Sequence, residues 1–99
     1  MSRVSGKPYY VYILWSSRAG CFYIGISENP QRRLAQHNFS RRGWSTRDAP
    51  WELVYTERLP DYRSARLRET ELKAQKGGRG FFQKTGLDPS RFSRSSLGS

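Results

Sequence analysis

Two runs of β-branched and aromatic residues, Tyr9–Trp15 (YYVYILW) and Cys21–Ile26 (CFYIGI), are joined by five residues of turn composition, Ser16–Gly20. So short a link predicts a β-hairpin, and the rest of the chain must be built around it. Next comes a helix-start signal, Ser27-Glu28-Asn29-Pro30. Asn29 can cap, and Pro30 suits the first helical position because its missing N–H is not needed there. A helix is expected from Pro30 to about Asn38. Phe39–Pro50 reads as a polar loop holding Arg41, Arg42 and Arg47, with Asp48 its only acid. Trp51–Thr56 (WELVYT) reads as a third strand. Pro60-Asp61 opens a second helix, with Asp61 its cap, that ends near Lys76 at the stop signal Gly77-Gly78. Gly80–Leu87 is expected to add a short docked segment. The order β-β-α-β-α predicts an α/β (α+β) domain, a small three-stranded, mostly antiparallel sheet flanked by helices. The domain is expected to span residues 8–87. Residues 1–7, and residues 88–99 with five serines and Leu97 as their only aliphatic residue, read as flexible termini.

At 99 residues the chain allows one domain with a thin core. Its 35% hydrophobic content is too high for a disordered chain. The longest apolar run, Tyr9–Trp15, has seven residues, too few for a transmembrane helix. No apolar secretory segment is visible at the N-terminus. Cys21 is the single cysteine, which excludes an internal disulfide framework and a Cys-rich zinc site, so a cytoplasmic location is expected. The formal net charge is +10, and 14 of the 18 basic residues are arginine, whose planar fork matches phosphate geometry. A polyanion would relieve that self-repulsion. Nucleic acid is therefore the expected partner, ahead of an acidic protein. No basic amphipathic helix with a broad apolar face supports a membrane partner.

Some residues invite a chemical reading beside a structural one. A hairpin symmetric about the point between Ser17 and Arg18 makes Tyr12 and Tyr23 cross-strand neighbours, although tyrosines also pack in strands for their own sake. A one-residue slip would separate them. Gly25, inside a strand, signals either a bulge or the close approach of something to the backbone. Arg33 and His37, spaced i, i+4, share a helix face. His37 is the only histidine, and a lone histidine is more often a packed residue than a catalytic one. Ala65, Glu69 and Leu72 follow the stripe of an amphipathic helix, which puts Glu69 on the core side among Arg66, Arg68 and Lys73. A carboxylate there must be ion-paired or bound to a metal. Glu71 falls on the solvated side. Two tyrosines, an arginine, a histidine and a glutamate are the parts needed to hydrolyse a phosphodiester with one divalent cation.

The same residues carry a resemblance. Val11-Tyr12-Ile13 followed by Tyr23-Ile24-Gly25 resembles the paired motif of the GIY-YIG nuclease superfamily, with Val11 for the first glycine and Ile13 for the last tyrosine. The eleven-residue step from Tyr12 to Tyr23 matches, as do Arg33 ten residues on, His37 and Glu69. The resemblance covers roughly residues 8–84. Trp51-Glu52-Leu53-Val54-Tyr55 and the small size are similar to the stand-alone bacterial (YhbQ-like) group. Many members carry an asparagine downstream of the glutamate. Here the asparagines are Asn29 and Asn38, both upstream, with Gln83 and Lys84 the substitutes in reach.

The resemblance implies an endonuclease that hydrolyses DNA, with RNA not distinguished from it, at branched, damaged or single-stranded sites, as in DNA repair. It implies that Glu69 binds Mg²⁺ or Mn²⁺. Tyr12 acts as general base or orients the water, with His37 helping to take the proton. Arg33 stabilises the transition state, and Tyr23 hydrogen-bonds the phosphate or the water. Arg32, Arg41, Arg42, Arg47 and Lys73 are expected along the nucleic-acid backbone, with low sequence specificity and steep salt dependence. A protein partner could supply substrate selectivity. The alternative is a nucleic-acid-binding module without catalysis of its own, or one needing a partner for it. A third reading is a basic protein-interaction domain.

Overall fold

The computed structural model describes residues 8–39, 48–76 and 78–92. The expected architecture is present: β1 (Tyr9–Ser16), β2 (Cys21–Ser27), α1 (Pro30–Phe39), β3 (Trp51–Leu59), α2 (Tyr62–Ala74) and α3 (Arg79–Thr85). The strands form an antiparallel sheet in the order β2-β1-β3. Both expected caps are made. The Arg32 amide donates to Asn29 Oδ1 (3.1 Å) and the Ser64 amide to Asp61 Oδ1 (2.8 Å).

The hairpin register differs from the symmetric one. Tyr12 lies opposite Gly25, and Tyr23 opposite Leu14. Ser16 belongs to β1 rather than to the turn. It is fully buried, its hydroxyl donates to the Asp48 carbonyl (2.7 Å), and the same oxygen accepts from the Ala19 amide (3.0 Å). The loop is thus Ser17–Gly20, closed by Gly20 at φ 68°, a left-handed conformation that glycine adopts without strain. The displacement is two residues, an even number, so Tyr12 and Tyr23 still share a face.

Central β1 feeds two cores. Val11, Ile13 and Trp15 join Phe22, Ile24, Ala65, Leu72, Phe81 and Phe92 on the face covered by α2 and α3. Tyr12 and Leu14 join Trp51 on the other face, against Leu34 of α1. Strand β3 serves both. Trp51 and Leu53 have the same parity as Tyr55 and Leu59, so a regular strand would send all four to one face. A bulge opposite Ile13/Leu14, with Tyr55 paired to Ile13 and Leu53 to Leu14, reverses the facing of the first two. Strand β3 also runs three residues beyond the expected Thr56.

The segment from Asp88 to Phe92, read from sequence as part of a flexible tail, is docked. A 3₁₀ turn at Pro89–Arg91, capped by Asp88, delivers Phe92 into the core at 9% exposure. Its ring lies 5.3 Å from Trp15 and 5.1 Å from Phe22, centroid to centroid. Low aliphatic content hid this, because a single aromatic ring anchors the segment. Residues 1–7 and 93–99 lie outside the described residues. No helix among the described residues is long and apolar enough to cross a membrane.

Candidate active site

Edge strand β2 lies between α1 on one face of the sheet and α2 on the other. The cleft there has a volume of about 1090 Å³ and is lined by Tyr12, Tyr23, Arg33 and Glu69, four of the five residues expected to be catalytic. Arg32, Arg66 and Lys73 add positive charge to its wall, against Glu28 and Glu69 as its acids. The fifth expected residue, His37, stands behind the tyrosines. Its ring is 4.4 Å from that of Tyr23, and its Nε2 is 3.4 Å from the Tyr12 hydroxyl, a long hydrogen bond. Arg41, Arg42 and Arg47 lie outside the described residues.

Tyr12 is 2% exposed, and its ring lies across Gly25. A Cβ added at Gly25 would stand 2.7 Å from Tyr12 Oη and 2.8 Å from Cζ. The close approach signalled by Gly25 is therefore that of Tyr12 itself, and the bulge lies in β3. Burial is the main cause that raises the Tyr12 pKa, with Tyr23 adding to it and Arg33 opposing. Tyr12 is a neutral phenol at physiological pH.

His37 sits in an aromatic enclosure of Tyr12, Tyr23 and Trp51, the last with its ring centroid 6.0 Å away. Burial, and then the charge of Arg33 one turn earlier, lowers its pKa below 6.5, so the imidazole is neutral and can accept a proton. Its position is fixed by a neighbour the sequence reading missed. Asn38 donates from Nδ2 to the Trp51 carbonyl (3.1 Å) and accepts the Trp51 amide at Oδ1. The carboxamide thus joins the end of α1 to the start of β3 as a strand edge would. Asparagine before a polar loop resembles any loop residue, so sequence carries no signal for this contact.

Glu69 is placed as the helical stripe predicts. Its side chain is 14% exposed, with Oε2 3.0 Å from Lys73 Nζ and Oε1 3.9 Å from Arg66 Nε. Arg68, expected near Glu69, instead turns to Glu57 (2.8 Å) and Glu71 (3.0 Å), because adjacent helix positions point about 100° apart. Neither Gln83 nor Lys84 lines the cleft. Lys84 pairs with Glu71 (3.5 Å) and Gln83 lines a separate apolar hollow beside Phe82. Two cleft residues that sequence did not single out are Tyr9 and Tyr62.

Residues 8–81 match the family described as the GIY-YIG catalytic domain. A UPF0213 protein of Natronomonas pharaonis is 39% identical over 67 residues, which is 67% of this chain and 78% of that protein. A UPF0213 protein of Lactiplantibacillus plantarum is 38% identical over 72 residues, covering 70% of each. The structure-specific endonuclease subunit slx1 of Pyrenophora tritici-repentis is 44% identical over 61 residues, 52% of this chain. The chain spans 17% of the length of that fungal protein. No solved structure matches.

Proposed function

The chain belongs to the GIY-YIG family, and from that premise we propose that it is a divalent-metal-dependent endonuclease that hydrolyses phosphodiester bonds in DNA. Branched or damaged sites are its proposed substrates, met with low sequence specificity in the cytoplasm. The fungal relatives are named as subunits, and a protein partner that adds selectivity is part of the proposal. One observation supports the reading above the others: Tyr12, Tyr23, Arg33 and Glu69 come from four different elements and meet in one cationic cleft.

The chemistry follows from the state of each group. A buried phenol is a poor source of tyrosinate, so Tyr12 works best as a relay. It accepts the proton of the attacking water as its own passes to neutral His37 Nε2, and no free tyrosinate forms. Arg33 reaches into the cleft from α1, exposed, with Nη1 donating to Gln36 Oε1 (3.3 Å). Its guanidinium is free to pair two phosphoryl oxygens as charge builds on them. Tyr23 lines the same wall and can donate to the phosphate. Arg32 contacts the backbone, and the same role is proposed for Arg41, Arg42 and Arg47.

The donor set suits one kind of cation. Among the described residues no three of His, Cys, Asp and Glu gather, so a closed protein cage is absent. Mg²⁺ and Mn²⁺ need no cage, because they keep several waters and take one or two carboxylates together with substrate phosphate. Glu69 would hold the ion, and Lys73, whose side chain is 53% exposed, is able to swing from the carboxylate to a phosphate. When bound, the ion supplies charge neutralisation at the leaving oxygen.

A second reading, a DNA-binding module without catalysis, is favoured by the pairing of Glu69 with Lys73 and by the lack of any asparagine downstream of Glu69. Plasmid and branched DNA incubated with the protein in Mg²⁺, Mn²⁺ or EDTA, beside Glu69→Gln, separates the two. Cleavage that needs metal and Glu69 supports the nuclease. Cleavage that persists in EDTA or in Glu69→Gln refutes the metal site, and binding without cleavage in any condition establishes the second reading.

A further inference from the structure

We propose that Tyr62, braced by Tyr9, is a stacking platform for an unpaired nucleobase at one end of the cleft. Three large hydrophobic residues are exposed among the described ones, Phe39, Tyr62 and Leu67, and of these only Tyr62 lines the cleft. It is 50% exposed. The proposal rests on the reading of the cleft as a DNA site and does not require that the DNA be cut.

The platform is held in place before any ligand arrives. Tyr62 is the first residue of α2, immediately after the Asp61 cap. Its ring meets that of Tyr9 edge to face, with centroids 5.4 Å apart and planes at 76°. Tyr9 is anchored in turn as the first residue of β1, opposite Leu59, and its hydroxyl lies beside the Glu28 carboxylate, whose charge raises its pKa. A ring fixed in this way loses little freedom when a base stacks on it.

Charge complementarity names the occupant. Tyr62, Arg66, Glu69 and Lys73 follow one another at helical spacing and all line the cleft. The aromatic ring therefore stands in line with two cations of α2, Arg66 and Lys73, which flank Glu69, and faces a cleft that Arg32 and Arg33 also line. An aromatic ring beside cations suited to phosphates is the arrangement by which single strands are bound. Tyr62 and Glu69 are seven positions apart, about 10 Å along the helix axis. Stacked nucleotides step by about 3.4 Å, so the captured base lies no more than about three nucleotides from a phosphate held at Glu69. Within a duplex both faces of a base are covered by its neighbours. Only a base at an end, a flap or a junction can offer a face to Tyr62, so the platform selects structure rather than sequence.

The test is binding in EDTA, where no cleavage intervenes. A duplex with a short single-stranded overhang, carrying 2-aminopurine at each unpaired position in turn, is compared with the blunt duplex. Wild-type protein is expected to bind the overhang more tightly and to quench 2-aminopurine within three nucleotides of the junction. Tyr62→Leu is expected to weaken overhang binding about tenfold, to abolish the quenching and to leave blunt-duplex affinity unchanged, while Tyr62→Trp retains all three. Thermal melting checks that both variants fold. Equal affinity of the wild type for overhang and blunt DNA overturns the platform, as does an equal effect of Tyr62→Leu on both or quenching that survives it. Cleavage is assayed separately with Mg²⁺. A wild type that never cuts refutes the nuclease reading and leaves the quenching result standing.

Discussion

Replacing Gly25 by alanine sets two effects of opposite sign against each other. A glycine inside a strand costs about 0.5–1 kcal/mol relative to alanine, so intrinsic preference makes the change stabilising. The φ of Gly25 lies outside the left-handed region, and alanine meets no backbone strain there. The new Cβ, however, would stand 2.7 Å from Tyr12 Oη, 2.8 Å from Cζ and 3.0 Å from Cε1, where ordinary contact begins at 3.4 Å. The ring must retreat by about 0.7 Å, and at 2% exposure it is hemmed in by its own core. Overpacking of this kind costs about 1–3 kcal/mol and outweighs the backbone gain. A net loss of about 1–2 kcal/mol lowers the melting temperature of a domain this size by roughly 4–16 °C. The retreat also carries the Tyr12 hydroxyl off its line to His37, and a displacement near 1 Å can cost about a hundredfold in rate. The decisive assay repeats the change in a Tyr12→Leu background, because leucine does not reach the three offending ring positions. There Gly25→Ala should raise the melting temperature by a few degrees. A loss of the same size in both backgrounds would refute the ring contact as the cause.

Protonation of His37 removes the Nε2 acceptor, and burial with Arg33 holds its pKa below 6.5. Cleavage should therefore decline as pH falls with a midpoint below 6.5, with the decline abolished in His37→Gln, and a midpoint at or above 6.5 in the pH–rate profile contradicts this. Stability follows the same sign: His37 contributes fully above the unfolded value near 6.5 and loses its contribution as pH falls through the lower folded value, which urea melts between pH 5 and 8 can read. Asn38→Ala removes the side-chain bonds to the amide and carbonyl of Trp51, which is 4% exposed, and should cost about 2 kcal/mol in a denaturant melt, with the cleavage rate falling as His37 loses its anchor. Phe92→Ala should cost about 3 kcal/mol in the same assay, and an effect under 0.5 kcal/mol would mean that the C-terminal segment does not dock as described.

What sequence made legible, and what it hid, divides along physical lines. The two hairpin strands and the stripe that aims Glu69 were readable because each is a local period in side-chain polarity. The Asn29 and Asp61 caps were readable because capping is chemistry between residues three apart. The hairpin register was not, since it turns on Ser16, whose hydroxyl is satisfied by a carbonyl at Asp48. The reach of β3 was masked because Glu57 and Arg58 look like solvent residues, although Glu57 is held by Arg68. The bulge that brings Trp51 to His37 and the Asn38 clasp depend on partners far along the chain. The candidate site follows the same rule. Tyr12, Tyr23, Arg33, His37 and Glu69 could be named from spacing, whereas Tyr9 and Tyr62 acquire meaning only once α2 lies beside the start of β1.

The division of β1 between two cores has a consequence for anyone who would harden this domain. On the α1 side the interior is Tyr12, Leu14 and Trp51, with Tyr23 and Leu34 against them. There the proposed reacting group is itself the filling, so any repacking for heat resistance also re-aims a catalyst. On the α2 side, Val11, Ile13, Phe22, Ile24, Leu72 and Phe81 carry no proposed chemistry. Stabilising libraries belong on that side, where volume-conserving exchanges are well tolerated. Successive residues of a single strand thus offer the engineer opposite freedoms.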